Sequence, residues 1–384
     1  MNIGAFFGSR SPEHDVSIIT GEFIISGLKK LGYEVTPVYL DKTGRWFLRQ
    51  GLDKLSFFKD DGNLDKLKSF YFDLEKSRGK MVFKQKGIFG KEVVIDLAFP
   101  AFHGQNGEDG TAQGLFELCN VPYVGCDVAS SAIAMDKVLT KEFYTAHGIA
   151  TTKFISFFGD EFDKNKEALL RKVNDLKYPL FVKPARLGSS IGIAKIKNDK
   201  ALINAVEVAL HYDNKILVEE GVENLMDVTC AVLGNYKPQA SVLQESLFGD
   251  DLFSYEDKYL DEGGAQLGNA QDKLVIPARL DEGTTHSTQE LAVRIFKLFG
   301  CSGTARVDFL YDKKNQVMYA NEINTLPGTL YHHLWKKSGV EFEDLLAKLI
   351  ELAQEKNAEK KKLICGFESK ILEQANSLKL KQPS

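Results

Sequence analysis

At 384 residues the chain is long enough for two or three domains, each with its own core. It is 43% hydrophobic and 27% charged, and its net charge of −4 has both signs interspersed, which argues against nucleic acid and an anionic membrane as partners. Five cysteines without a CxxC pair or cysteine–histidine metal spacing, and no signal-like or membrane-length apolar run, lead us to expect a cytoplasmic protein with free thiols.

Residues 2–8, NIGAFFG, read as a buried strand, followed by an amphipathic helix VSIITGEFIISGLKKLG that closes at Gly32 and a second strand, EVTPVYLD. Strand, helix, strand is the start of a parallel α/β layer. Residues 42–91 are irregular, charged and aromatic, and read as a hairpin-rich insertion. VVIDLAFPAFHG reads as one buried strand ending at His103, before the turn GQNGEDG, the helix TAQGLFELCN and a closing PYVG. A boundary is expected near Gly125, giving an N-terminal α/β domain over 1–125.

A single helix is expected over 130–147, with Gly148 as its C-cap. Strands PLFVKPA and IGIAKIK, a helix over about 199–211 and the strand KILVEEGV make a small α+β unit over 126–219. The third unit, 220–356, carries strands DVTCAVLG and PQASVLQE, a polar loop over 248–269, the helix STQELAVRIFKLFG, a hairpin and the helix FEDLLAKLIELAQE. Residues 357–384 read as a lysine-rich, solvated tail.

The hairpin RVDFLYDKKNQVMYANEINTLPG, 306–328, is the most informative stretch. Glu322 and Asn324 are two apart on a strand and face the same way, with Asp308 across from them. Three oxygen donors without Cys or His suit a hard cation such as Mg²⁺, which takes its remaining ligands from phosphates and water. A hairpin with polar ends reads equally well from these residues alone. In FVKPARLGSSIGIAK, Lys183 precedes a turn in which Gly188, Ser189, Ser190 and Gly192 permit close approach to phosphates, although glycine–serine hairpins are common. Neither a P-loop nor a GxGxxG motif is present. Lys137 and Lys141 share a helix face, as do many solvated lysine pairs. Glu13 and His103 lie after the first strand and after VVIDLAFPAF, at the sheet edge where ligands sit in open α/β folds. YEDKY, 255–259, falls in the long polar loop and suggests a lid.

In this order, EHDVS, HGQNGEDGTAQG, PYVG, MDK, VKPARLGSSIG, YEDKY, ARVDF and NEINTLPG resemble the D-alanine–D-alanine ligases of the ATP-grasp superfamily, over about residues 2–355. The resemblance implies a three-domain ATP-grasp fold, α/β and α+β, with a parallel α/β N-terminal domain and ATP between the central and C-terminal units. It implies that Lys137, Lys183 and Ser190 hold phosphates, that Glu219 and Val222 line the adenine pocket, and that Asp227, where the family usually has Glu, meets the ribose. Asp308, Glu322 and Asn324 would hold two Mg²⁺ ions, or Mn²⁺ in their place. Glu13 would meet the first D-alanine's ammonium, linked through Ser189 and Tyr259 to a lid whose Lys258 reaches the γ-phosphate. Arg306 and the Gly328 N–H would stabilise the oxyanion, and His103 would sit near the second substrate. The implied reaction joins two D-alanines through an acyl phosphate, for peptidoglycan precursor synthesis, in a homodimer.

One departure stands out. Where the family usually has a Ser that contacts the second carboxylate, TLYHHLW places His333. A ligase of the same mechanism using D-Ser, D-lactate or another acceptor is therefore the alternative, although Tyr259 argues against D-lactate. A nucleotide-binding regulator without catalysis is the reading from another class, and the intact metal triad, lysines and Arg306 count against it.

Overall fold

The computed structural model describes residues 1–59, 61–87, 89–247, 273–364 and 366. Three sheets organise them. The first begins with β1 (Asn2–Gly8), all but one of whose residues are buried, then α1 (His14–Lys30) and β2 (Glu34–Leu40). The 42–91 segment contributes β3 (Trp46–Leu48), a short α2 (Leu55–Phe58), β4 (Phe70–Phe72) and β5 (Met81–Gln85). These strands extend the same sheet outward from β2, each antiparallel to the one before it.

The expected strand VVIDLAFP is two strands, β6 (Glu92–Ile95) and β7 (Leu97–Pro100). The first pairs antiparallel with β5, the second parallel with β1. Asp96 makes the break, its carboxylate accepting from the Asn2 N–H at 2.7 Å. A continuous apolar run carries no mark of a change of partner, so the break is invisible in hydropathy. α3 (Thr111–Leu118) follows, and Tyr123 bridges to Ala98.

The helix expected over 130–147 is also two: α4 (Val128–Met135) and α5 (Lys137–Ala146). Asp136 stands between them in an extended conformation and caps α5, accepting from Val138 N at 3.0 Å and Leu139 N at 3.1 Å.

The second sheet has the order β10-β9-β11-β8. It comprises β8 (Phe154–Phe158), β9 (Leu180–Pro184), β10 (Ala194–Ile196) and β11 (Lys215–Glu220), covered by α6 (Gly159–Val173) and α7 (Asp199–Leu210). Leu180, Val182, Leu202, Val206, Ile216 and Val218 form its separate core.

The third sheet runs β14-β13-β12-β15-β16. Its strands are β12 (Leu225–Gly234), β13 (Gln239–Ser246), β14 (Leu274–Val275), β15 (Gly303–Asp312) and β16 (Val317–Asn324). With them stand α8 (Glu282–Leu298), α9 (His332–Lys337) and α10 (Phe342–Lys360), the last reaching four residues into the expected tail. One core joins the first and third units: Ile24, Ile25 and Leu28 of α1 share a cluster with Leu345, Leu346 and Leu349 of α10. Fully burying a side chain of this kind contributes about 1.5–3 kcal/mol. A Cβ on Gly27 would stand 2.5 Å from Leu346, so a glycine is what lets these helices approach. Among the described residues no helix is long and apolar enough to cross a membrane.

Candidate active site

The polar residues converge on two adjoining clefts where the three sheets meet. Lys183 and Glu219 lie on neighbouring antiparallel strands, β9 and β11, and form an ion pair at the base of the larger cleft. Lys141 approaches the same carboxylate from α5 at 2.7 Å, and the Thr152 hydroxyl donates to it at 2.7 Å. Glu219 is 1% exposed and Lys141 equally so. Burial pushes the Glu219 carboxyl upward, but Lys141 and Lys183 outweigh it and hold the group well below the usual carboxylate range. Burial lowers the pKa of Lys141, with Glu219 opposing it. At Lys183 burial also acts downward, but Glu219 more than offsets it and the pKa is raised. Lys141 was not among the expected site residues. Its only signal in the sequence is the i,i+4 spacing from Lys137, and a solvated pair has the same spacing.

Lys137 points the other way along the site. Its ammonium donates to the Leu187 carbonyl at 2.7 Å and stands 3.7 Å from Glu322, between the two clefts. Ser189 and Ser190 take left-handed backbone conformations, with φ of 55° and 59°, in the turn after β9. Ser190, Val222 and Asp227 line the larger cleft together with Glu219. Two cations, a glycine–serine turn and an apolar wall make a pocket suited to a polyanion with a flat apolar group.

Arg306, Asp308, Glu322 and Asn324 come from β15 and β16, where Arg306 pairs with Asn324 and Asp308 with Glu322. Arg306 is 5% exposed, and its guanidinium forks onto Asp308 at 2.6–2.9 Å. It stands 3.8 Å from Glu322 and lies over the Tyr331 ring at 4.9 Å. Asn324 donates its amide N–H to Asp308 at 3.2 Å. Burial raises the Asp308 carboxyl; Arg306 opposes this and the Glu322 charge adds to it. Two like-charged carboxylates with an amide beside them are a donor set for a hard divalent cation, which would relieve their repulsion. Among the described residues no group of three His, Cys, Asp or Glu side chains could hold a metal. An ion here would therefore depend on Asn324 and on ligand oxygens.

The smaller cleft is walled by Glu13, His103, Glu108 and the segment Asn324–Gly328, with Arg306 and Glu322 shared with the larger one. Glu13 is buried at 5% and accepts a hydrogen bond from the Ser189 hydroxyl. Gly104 (φ 71°) is required here, since a Cβ would stand 2.4 Å from Ser11 Oγ and 2.6 Å from Glu13. His103 Nε2 lies 2.8 Å from Thr20 Oγ1, and Nδ1 faces Glu108 at 3.9 Å. Glu108 also accepts from the Gly104 N–H at 2.6 Å. Tyr259 and Lys258, expected on the lid, lie outside the described residues.

A model of the D-ala D-ala ligase N-terminus matches residues 2–126, and one of the D-ala D-ala ligase C-terminus matches 143–351. The chain belongs to the D-alanine–D-alanine ligase family. It is 39% identical over 364 residues to a D-alanine–D-alanine ligase of Thermoanaerobacter sp. strain X514, covering 93% of this chain and 98% of that one. Among solved structures it resembles the D-alanine–D-alanine ligase from Coxiella burnetii, with TM-score 0.77 and 29% identity over 100% of this chain and 99% of that one. It also resembles the VanG D-Ala:D-Ser ligase from Enterococcus faecalis, with TM-score 0.77 and 33% identity over 92% of this chain and 99% of that one. The ATP-grasp fold expected from the motifs is that of these neighbours.

Proposed function

We propose that this chain is an ATP-dependent ligase that joins two D-alanines into D-alanyl-D-alanine for peptidoglycan precursor synthesis. The observation that carries the reading is the wall common to both clefts. Lys137, Ser189, Arg306 and Glu322 face the larger cleft, with Lys183, on one side and the smaller cleft, with Glu13 and His103, on the other.

In this reading the carboxylate of the first D-alanine attacks the γ-phosphorus of ATP, giving an acyl phosphate and ADP. The amine of the second D-alanine, having lost its proton, attacks the acyl carbon, and phosphate leaves as the peptide bond forms. Glu13, held by Ser189, receives the first ammonium. Lys137, Lys183 and Ser190 bind the phosphates, Glu219 and Val222 border the adenine, and Asp227 meets the ribose. Arg306 and the Gly328 N–H face the oxyanion, where preorganised donors act most strongly. His103, backed by Thr20 and Glu108, orients the acceptor, and Tyr259 and Lys258 close the site against water. Asp308, Glu322 and Asn324 would hold Mg²⁺ or Mn²⁺, which supplies charge neutralisation at the phosphates. Domains over 1–125, 126–219 and 220–356, a cytoplasmic location and a homodimer complete the proposal.

The test is ADP and dipeptide release with D-Ala alone, then with D-Ser, D-lactate and L-amino acids added. D-Ala-dependent dipeptide is expected, and its absence would refute the reading. Glu322→Ala should abolish turnover while circular dichroism stays that of the parent; retained turnover would remove Glu322 from the metal site. Chelation of divalent cations should stop turnover, and Mg²⁺ or Mn²⁺ should restore it.

A further inference from the structure

His333 occupies the position at which contact with the acceptor carboxylate was expected, yet it lines neither cleft among the described residues. Its ring turns toward β13, where Nε2 lies 2.7 Å from Gln244 Oε1. Gln244 is 2% exposed and donates its own amide to Ser246 Oγ at 3.3 Å. Ser246 lines the larger cleft. On its other side the His333 ring stands 4.9 Å from Tyr331, the ring that carries Arg306 on its face at 4.9 Å. A continuous row of contacts, Ser246–Gln244–His333–Tyr331–Arg306, thus runs from the nucleotide wall to the guanidinium shared by both clefts.

The backbone between these groups is unusual. Thr329, Leu330 and Tyr331 have φ of 46°, 58° and 49°, three successive left-handed residues, none of them glycine. Such a turn is disfavoured at every step and persists only where its surroundings hold it. His333 Nδ1 is buried without a hydrogen-bond partner among the described residues, and burial holds the ring neutral, its pKa down to about 4. A neutral imidazole with Nε2–H can donate to the Gln244 carbonyl oxygen, which fixes the tautomer.

We propose that His333 is a positioning residue: bonded to Gln244, it locks Tyr331 in the left-handed turn beneath Arg306 and so aims the guanidinium for acyl transfer, without touching the second amino acid. This rests on the ligase reading above. It also places acceptor choice in the walls of the smaller cleft rather than in residue 333.

Steady-state dipeptide formation in the full chain tests it. His333→Phe and Gln244→Met should each lower kcat about tenfold or more, since a shift of an ångström at the reacting groups has effects of that size. KM for ATP and for the second D-Ala should stay within about twofold in both. His333→Gln keeps an amide donor toward Gln244 and should recover most of the loss. The double variant His333→Phe/Gln244→Met should be no slower than the slower single variant, as for two residues acting through one bond. ADP binding at one per chain is required of each variant, and its loss in both single variants would mean a purely structural role and overturn the proposal. A raised KM for the second D-Ala with kcat kept, in His333→Ser or His333→Phe, would mean direct substrate contact and overturn it too, as would parent-like kcat in Gln244→Met. A parent chain that makes no dipeptide would refute the ligase reading itself, and this inference with it.

Discussion

Glu219 shows how much a single carboxylate organises. It binds Lys183 from the next strand and Lys141 from a helix, all three nearly or wholly out of water. Removing one member of such a buried set leaves charge uncompensated, which typically costs about 3–5 kcal/mol. Lys141→Met should therefore lower the midpoint of denaturant unfolding and raise KM for ATP, although Lys141 need not touch the nucleotide. Because the folded-state pKa of Glu219 is depressed, its contribution is fully present above the ordinary carboxylate value and fades only as pH falls below it. The parent should then lose more stability than Lys141→Met on titration below about pH 4. At Arg306 the fork onto Asp308 depends on a planar guanidinium. Arg306→Lys should lower kcat by about 10²–10³, the loss that follows removal of one oxyanion donor, as read by dipeptide release. Lys137, Lys183 and Arg306, which line the larger cleft, were marked in the sequence because each sits in a distinctive string. Lys141 was not, because its role is set by Glu219, 78 positions away.

Elements with one partner on each side were read nearly to the residue, as β1 and α7 were. Those missed or merged left too little mark in the local pattern. β6 and β7 change neighbours within one apolar run, while β8 and α6 were not identified at all: β8 is short, and α6 carries only a narrow apolar stripe, Phe162, Leu169 and Val173, in a highly charged sequence. The break between α4 and α5 has a local cause that the helical spacing concealed. Asp136 caps α5 and also pairs with Lys215 of β11 at 3.0 Å. Asp136→Ala should lower stability by roughly 1–2 kcal/mol through the cap. It should also raise KM for ATP, because Lys137, the first residue of α5, is aimed by that cap.

At the scale of the molecule, two junctions between the first and third units stand out. One is the α1–α10 core; the other is the junction of Gly125 with Gly303, where a Cβ on Gly303 would meet the Gly125 backbone at 3.0 Å. Ser302 Oγ donates to the Gly125 carbonyl at 2.8 Å beside it. Gly303 also has φ of 71°, so Gly303→Val should cost roughly 2–4 kcal/mol, seen as a lower unfolding midpoint. Histidines add a pH dependence. Burial lowers the pKa of His14, His332 and His333, the last to about 4. The unfolded chain therefore takes up protons that the folded chain refuses, and stability should fall as pH drops from about 6.5 toward 4. His333→Gln should flatten that slope in unfolding measured across the same range.

The four-stranded sheet is fastened differently. Its core is its own, and much of what joins it to the rest is polar: Lys215 to Asp136, Lys137 to Leu187, Ser189 to Glu13. Polar contacts exchange readily with water, whereas the α1–α10 core does not. The first and third units thus share one apolar core, while the four-stranded sheet meets its neighbours largely through polar side chains, of which Lys137, Ser189 and Glu13 also line the clefts.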